Sequence, residues 1–243
     1  MSTKLKITDC IWELENIGKS TSEITFGATI NEEDVLQINK IESDYIVAKV
    51  NSGSYSNLST LYENRFNFIE DLIEFRFNLH ERKEFVKKYE SKISKIGFKK
   101  VEDLGAFFSN WRENNLFNTD RIALDPNLGI EKSNIRYKNW IKNSLKKDDF
   151  SLNEIIFDNK NVGFIFGSTE GDYFHYTIAG IYKAHQGKGY GSLIGLIPIK
   201  YCIDNKIENT IVRASSNNTA ILKIYTRIGF VIEKIEHVLI RHN

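Results

Sequence analysis

The residues best suited to chemistry are the run His185-Gln186-Gly187-Lys188-Gly189-Tyr190-Gly191-Ser192. A mostly apolar run, Tyr176 to Tyr182, precedes it, and a run of helical length, Leu193 to Asn205, follows. Strand, glycine-rich turn and helix together point bare backbone N–H groups and a helix N-terminus at one place, which suits a phosphate. Glycines let an anion reach the backbone with no side chain in the way. His175 lies upstream on the same apolar strand, and an imidazole there could take a proton near neutral pH. Alternation puts His175 and Thr177 on the face of Ala179 and Ile181, with Tyr176 pointing the other way.

Two familiar phosphate loops do not fit. A P-loop requires Gly-x-x-x-x-Gly-Lys-Ser/Thr, whereas Gly187-Lys188 is followed by Gly189. A dinucleotide fingerprint needs a third glycine where Ser192 stands, and an acidic residue where the strand Thr210 to Ala214 ends in Ser215. The spacing Gln186-x-x-Gly189-x-Gly191 resembles the pyrophosphate loop of the GNAT superfamily of acyl-CoA-dependent N-acyltransferases. Downstream, Asn218, Tyr225 and Gly229-Phe230 resemble that superfamily's second signature, Asn-(x)6-Tyr-(x)3-Gly-Phe.

The resemblance implies acetyl-CoA or another short acyl-CoA as cosubstrate, with no metal. Gln186, Gly187, Lys188, Gly189, Tyr190, Gly191 and Ser192 would hold its pyrophosphate, helped by the helix dipole. Ala179 and Ile181 would lie along the pantetheine arm, Asn218 would cap the last helix and touch the cosubstrate, and Tyr225 would protonate the leaving thiolate. Lys188 reads equally as a solvent-facing turn lysine, and Asn218 as a plain cap. His175 is the candidate base; a structural strand histidine is the other reading, with water chains or a Glu or Asp as the base. Within the superfamily the chain resembles the dTDP-fucosamine acetyltransferase and nucleotide-sugar N-acyltransferase group, through Ile11-Trp12-Glu13, Asp120-Arg121, Tyr137, Trp140 and Glu236 to Arg241. That likeness implies a dTDP-linked aminodideoxy sugar as acceptor, Arg121, Asp125 and Thr177 on the acceptor side, and a homodimer paired through the last strands. Another amine (protein, peptide or antibiotic) and a non-catalytic CoA-binding module are the alternatives.

Composition narrows the partners. The chain has 243 residues, 41% hydrophobic, with 33 Lys and Arg against 32 Asp and Glu, so charge points to neither nucleic acid nor a membrane surface. Cys10 and Cys202 are too few for a disulfide framework or a metal cluster, and read as small buried side chains in a reducing cytosol. No apolar run suits a signal core or a membrane span, so a cytoplasmic protein is expected.

The positioning elements follow. Residues 4–14 read as a strand, 23–29 as another, and Asn31-Glu32-Glu33 as a capped helix start. A strand at Ile46 to Val50, a helix near Asn57 to Asn64 and a long strand from Phe66 to Leu79 come next. This order repeats at the C-terminus: Ile46 to Phe66 lies without gaps on Thr210 to Phe230, and a one-residue slip then puts Ile69-Glu70 on Ile232-Glu233. The early copy has Ser54 and Leu61 where Asn218 and Tyr225 stand, so it would carry no chemistry. From residue 84 the order is helix, strand, helix, a turn-rich loop at 117–129, helix, a three-strand meander, then helix, strand, helix and strand. That is the order of the GNAT fold: a mixed α/β (α+β) sheet flanked by helices over 84–243, with a smaller half-GNAT-like domain over 1–83. Pro198 falls inside the helix after the glycine loop and should kink it.

Overall fold

The apolar segments assemble into one mixed sheet with helices on both faces. The computed structural model describes residues 5–111 and 117–243. The first segment runs β1 (Lys6–Asp9), α1 (Trp12–Ile17), β2 (Thr21–Thr25), α2 (Glu32–Asn39), β3 (Tyr45–Asn51), α3 (Tyr55–Glu63) and β4 (Asn67–Asn78). Next come α4 (Lys83–Ile93), β5 (Ile96–Lys100), α5 (Leu104–Trp111), α6 (Arg121–Leu124) and α7 (Gly129–Ser144). The chain closes with β6 (Phe150–Phe157), β7 (Lys160–Glu170), β8 (Tyr173–Ile181), α8 (Leu193–Asn205), β9 (Asn209–Ser215), α9 (Thr219–Ile228) and β10 (Val231–His242). The ten strands stand in the order β1-β2-β3-β10-β4-β9-β8-β7-β6-β5. Only β2–β3 and β8–β9 pair in parallel among the described residues.

The internal repeat is visible as a pseudo-twofold arrangement. The unit β3-α3-β4 matches β9-α9-β10, and the two units exchange their last strands, so β4 lies between β10 and β9. Laying Ile46 on Thr210 turns the pair Val50–His237 into Ala214–Ile73, and both pairs are present. The reciprocal bonds Ser52 N–H to the Ile235 carbonyl (2.9 Å) and Ser216 N–H to the Asp71 carbonyl (2.8 Å) obey the same register. The expected one-residue slip is absent. Bulges instead place Ile69 of β4 and Glu233 of β10 as the extra residues, at matching positions, so the ungapped register holds throughout. Residues of 1–83 and 84–243 therefore share one continuous sheet. β10 pairs with β4 from Val231 and with β3 from Glu236 to His242, and β1 and β5 are the outermost strands among the described residues.

Two faces carry the cores. On one, Phe75, Phe77, Tyr176, Leu196, Ile228 and Tyr225 pack beneath α4, α8 and α9. On the other, Phe107, Phe108, Ile141, Phe164, Phe166 and Ile178 pack beneath α5 and α7. Residues Val162 to Phe166 of β7 are buried in succession because both faces are covered, which is why that strand is continuously apolar. Residues Leu193 to Ile199 of α8 are buried all round the helix, as expected for a helix wedged into a core. The helix runs continuously through Pro198.

Two expectations fail here. The strand expected over 4–14 ends at Asp9, and Trp12–Ile17 is a helix closed by Gly18 in the left-handed conformation. Its inward face is polar: Glu13 meets Arg136, and Asn16 accepts from Asn139, so apolar periodicity could not reveal it. The loop at 117–129 holds the short α6, whose Ala123 N–H is capped by the Asp120 carboxylate at 3.1 Å.

Candidate active site

The site is built at one discontinuity in the sheet. β8 and β9 pair from Tyr173–Asn209 to Tyr176–Val212 and then part. At that point β8 carries a bulge: Phe166 opposes Ile178 and Gly167 opposes Tyr176, leaving Thr177 as the extra residue. One extra residue reverses the side-chain phase of a strand. Phe174 and Tyr176 therefore share the α8–α9 face with Ala179 and Ile181, while Ile178 joins the opposite core.

This overturns the alternation expected from the sequence. Tyr176 faces the groove side, and His175 faces away from it. The His175 ring is 41% exposed, 3.8 Å from the Glu170 carboxylate. It lines a shallow surface depression with Glu170, Gly171, Asp172, Tyr173 and Ile211, across the sheet from Tyr225. The structure does not bring His175 and Tyr225 together. The Thr177 hydroxyl donates to the His175 carbonyl at 3.1 Å and so serves the bulge itself.

α9 positions Tyr225. The Asn218 side chain caps the helix by accepting from the Ile221 N–H at 3.2 Å, and Gly229 ends it at φ 104°. Ile221, Leu222, Ile224, Tyr225 and Ile228 form its inward stripe. Tyr225 is 3% exposed, with its ring 5.3 Å from Phe75 and 5.0 Å from Phe230. Burial holds its phenol well above the usual range. Tyr176 is likewise pushed up by burial, then by Tyr225. Both are neutral at physiological pH, so Tyr225 has a proton to give.

The glycine loop stands at the open end of the gap. Gly187 (φ 73°) and Gly189 (φ 83°) adopt the left-handed conformation, and a side chain on either would stand in open space. The Gln186 amide donates to the Ile181 carbonyl at 2.9 Å, tying the loop to the end of β8. The Tyr190 ring packs edge-on against His185 and Phe157, which moors the turn Tyr190–Ser192 to the β6 hairpin. Lys188 and Gly191 are exposed. Ser192 begins α8 without a side-chain cap.

The other half of the molecule supplies a comparison. α2, which also follows a strand parallel to its neighbour, is closed by a capping box: Asn31 accepts from Asp34 N–H at 2.9 Å, and Asp34 accepts from Asn31 N–H at 3.1 Å. Those N–H groups are spoken for. At α8 the turn Tyr190–Ser192 runs directly into the helix and takes the Leu193 N–H on the Gly191 and Tyr190 carbonyls, but no side chain caps that turn at Gly189, and the loop backbone ahead of it fits a pyrophosphate. Gly195 is needed for a different reason: a Cβ on it would come 2.4 Å from the Ile228 Cδ1, so it sets the close approach of α8 and α9.

Arg121 and Asp125 are engaged by the protein's own groups. Arg121 donates to Glu13 Oε1 at 3.2 Å, and Glu13, 1% exposed, also accepts from Arg136 Nε at 2.8 and 3.1 Å. Arg136 in turn lies over the Trp12 ring at 4.7 Å. Asp125 is buried, 2.8 Å from His242 Nε2 and 2.9 Å from the Asn127 N–H. Both residues support the joint between α1, α6, α7 and the sheet. A buried carboxylate that sequence reading missed, Glu70 of β4, accepts from the Arg121 backbone N–H at 3.1 Å through Oε1, while its Oε2 has no hydrogen-bond partner among the described residues. Its exposed-looking setting between Ile69 and Asp71 gave no signal of this. Among the described residues no group of His, Cys, Asp and Glu could hold a metal ion. No described helix is long and apolar enough to cross a membrane.

This architecture is the GNAT fold. The chain superimposes on a functionally unknown conserved protein from Staphylococcus epidermidis ATCC 12228 with a TM-score of 0.61 at 16% identity, over 92% of this chain and 85% of that one. It matches a GCN5-related N-acetyltransferase from Sphaerobacter thermophilus equally well, TM-score 0.61 at 9% identity, over 98% of this chain and 76% of that one. A tandem GNAT protein from the clavulanic acid biosynthesis pathway gives 0.56 at 10% identity, over 91% and 75%. No family model and no curated protein sequence matches the chain.

Proposed function

We propose that the protein is an acyl-CoA-dependent N-acyltransferase acting on a primary amine. The observation that supports this reading most is the parting of β8 and β9 beside the buried Tyr225 hydroxyl, below the uncapped N-terminus of α8. Acyl-CoA would supply the activated acyl thioester. The N–H groups of Gly187 to Ser192 would bind its pyrophosphate, and the main chain of Ala179 and Ile181 would guide the arm into the gap. Tyr225 holds a proton for the leaving thiolate, in a site dry enough that solution acidities do not govern the transfer. The base in this reading is not His175, which faces away; water at the mouth of the gap takes that part. The first acceptor class to test is a dTDP-linked aminodideoxy sugar, held by residues other than Arg121 and Asp125.

The test is thiol release from acetyl-CoA against dTDP-3-amino and dTDP-4-amino sugars, peptide amines and aminoglycosides, for wild type and Tyr225→Phe. Turnover with one amine, reduced about ten-fold or more in the variant (~1.4 kcal/mol), supports the reading. Tight CoA binding with no acylated amine would leave a CoA-binding module.

A further inference from the structure

On the sheet face opposite Tyr225, one buried carboxylate has an oxygen to spare. Glu70 of β4 is 4% exposed; its Oε1 accepts from the Arg121 backbone N–H at 3.1 Å, and its Oε2 is buried with no hydrogen-bond partner among the described residues. Beside it at the start of α6, Asp120 Oδ2 and Arg121 Nε are buried without partners among the described residues too. Native interiors rarely leave such atoms unmatched, and a group of them suits a bound water. The strand register gives the place. Ile73 and Phe75 face the side of Tyr225, so Glu70, Leu72 and Glu74 face the other, where Leu72 packs with Ile122. Leu72 opposes Ser215, the last residue of β9, and Glu74 meets Arg213 at 2.7 Å on the same face. β8 has already left β9 after Val212, so Ser215 lies on the wall of the gap and Glu70 stands just past its end. His175 shares this face but is level with Ile211, about 13 Å short of Ser215 at ~3.3 Å per residue.

A structural role does not need this carboxylate. A glutamine would accept the same Arg121 N–H without burying a charge, and a buried charge costs stability. We propose that Glu70 is the terminal proton acceptor for the amine: its Oε2 holds the water at the mouth of the gap and takes the proton that this water draws from the acceptor. The role rests on the acyltransferase reading. In the step, the amine nitrogen bonds to the acyl carbon and its N–H bond breaks toward the water. The water passes one of its own protons to Oε2, the C–S bond breaks, and Tyr225 protonates the sulfur from the opposite face. Solvent then takes the proton from Glu70 and returns one to Tyr225, so no other reactant is needed. Glu70 acts through the water and is a positioning residue. Burial raises its carboxyl, which moves it toward the pH at which it must gain and lose a proton. Among its charged and titratable neighbours, Arg121 opposes that rise, Asp120 adds to it, and Tyr137 of α7 is within electrostatic reach. β9 presents Ser215, and β10 opposes Glu70 with Val238.

The experiment measures kcat and kcat/KM against pH for wild type, Glu70→Gln and Glu70→Asp, with acetyl-CoA and the panel of dTDP-amino sugars, peptide amines and aminoglycosides. Glu70→Gln keeps the bond to Arg121 and should melt no lower than wild type, yet lose about 100-fold or more in kcat with CoA affinity unchanged. In wild type the rate falls in acid as Glu70 is protonated. That limb should be missing in Glu70→Gln, leaving only the ionisation of the amine, and should return in Glu70→Asp. A merely structural Glu70 would change the melt and leave the limb. Loss of rate and limb together, with the limb restored by aspartate, supports the proposal. A near-wild-type rate or an intact acid limb in Glu70→Gln overturns it, while Tyr225-dependent turnover would keep the acyltransferase reading. If Glu70→Gln gives no cooperative melt, Glu70→Asp decides alone: a carboxylate drawn back by one methylene should lose about ten-fold or more, and an unchanged rate overturns the role. No acylated amine from wild type overturns the acyltransferase reading and this role with it.

Discussion

Replacing Arg121 with alanine separates a structural role from an acceptor-binding one. The guanidinium is mostly buried and donates to Glu13, which is also held by both contacts from Arg136. Removing one partner of a buried ion pair typically costs about 3–5 kcal/mol, because the other charge is left uncompensated. Here Glu13 keeps Arg136, and the bond from the Arg121 backbone to Glu70 survives the truncation, so a loss of roughly 2–3 kcal/mol is expected. For a chain of this size that corresponds to a fall in Tm of roughly 4–12 °C. Thermal unfolding by circular dichroism measures it, and acceptor KM is compared well below the melting range. The account predicts a large melting shift with KM unchanged. A variant that melts with wild type but raises acceptor KM ten-fold would show that Arg121 contacts the acceptor and that the ion cluster contributes little.

Three further outcomes follow from the same geometry. Burial raises the Glu70 carboxyl above its ordinary 4.5, so its ionisation penalty is absent below that pH and grows as pH rises through the folded value; Glu70→Gln should gain stability relative to wild type toward neutral pH in urea melts, and lose that advantage in acid. Arg65, at φ 66°, holds the helix-ending position that Gly229 fills in the other half, so Arg65→Gly should stabilise by about 0.5–1 kcal/mol, whereas Gly229→Ala, with a Cβ 2.7 Å from the Phe85 ring, should lose about 2 kcal/mol or more by chemical denaturation. Burial pushes the Cys202 thiol up to about 12, so alkylation at about pH 8, where its thiolate fraction is ~10⁻⁴, should label Cys10 slowly and Cys202 only after unfolding.

The chemistry-bearing loop, the meander, α8 and α9 could be read from residue order because each depends on local signals: glycine spacing, alternation, an asparagine cap and a glycine stop. The repeat was also readable, and its strict register needed only the matched bulges at Ile69 and Glu233 to be recognised. What sequence alone could not supply was the bulge at Thr177. It depends on how β7 meets β8, and it reversed the sides assigned to His175 and Tyr176. α1 was missed because its inward face carries Glu13 and Asn16, whose partners lie far along the chain. Nor could the sequence show that Arg121 meets Glu13 and Asp125 meets His242, because those partners lie 108 and 117 residues away. Pro198, anomalous in the sequence, leaves the Ile194 carbonyl without its helix donor, and the Tyr176 hydroxyl across the core supplies one.

The most direct test is the stoichiometry of CoA binding by isothermal titration calorimetry, on wild type and Gly189→Val. The first half closes its helix with Asn31 and Asp34, while no side chain caps the turn that leads from Gly187 and Gly189 into α8, so the account predicts one CoA per chain, lost in the variant. Two molecules per chain, none, or one that binds Gly189→Val as tightly as wild type would contradict it.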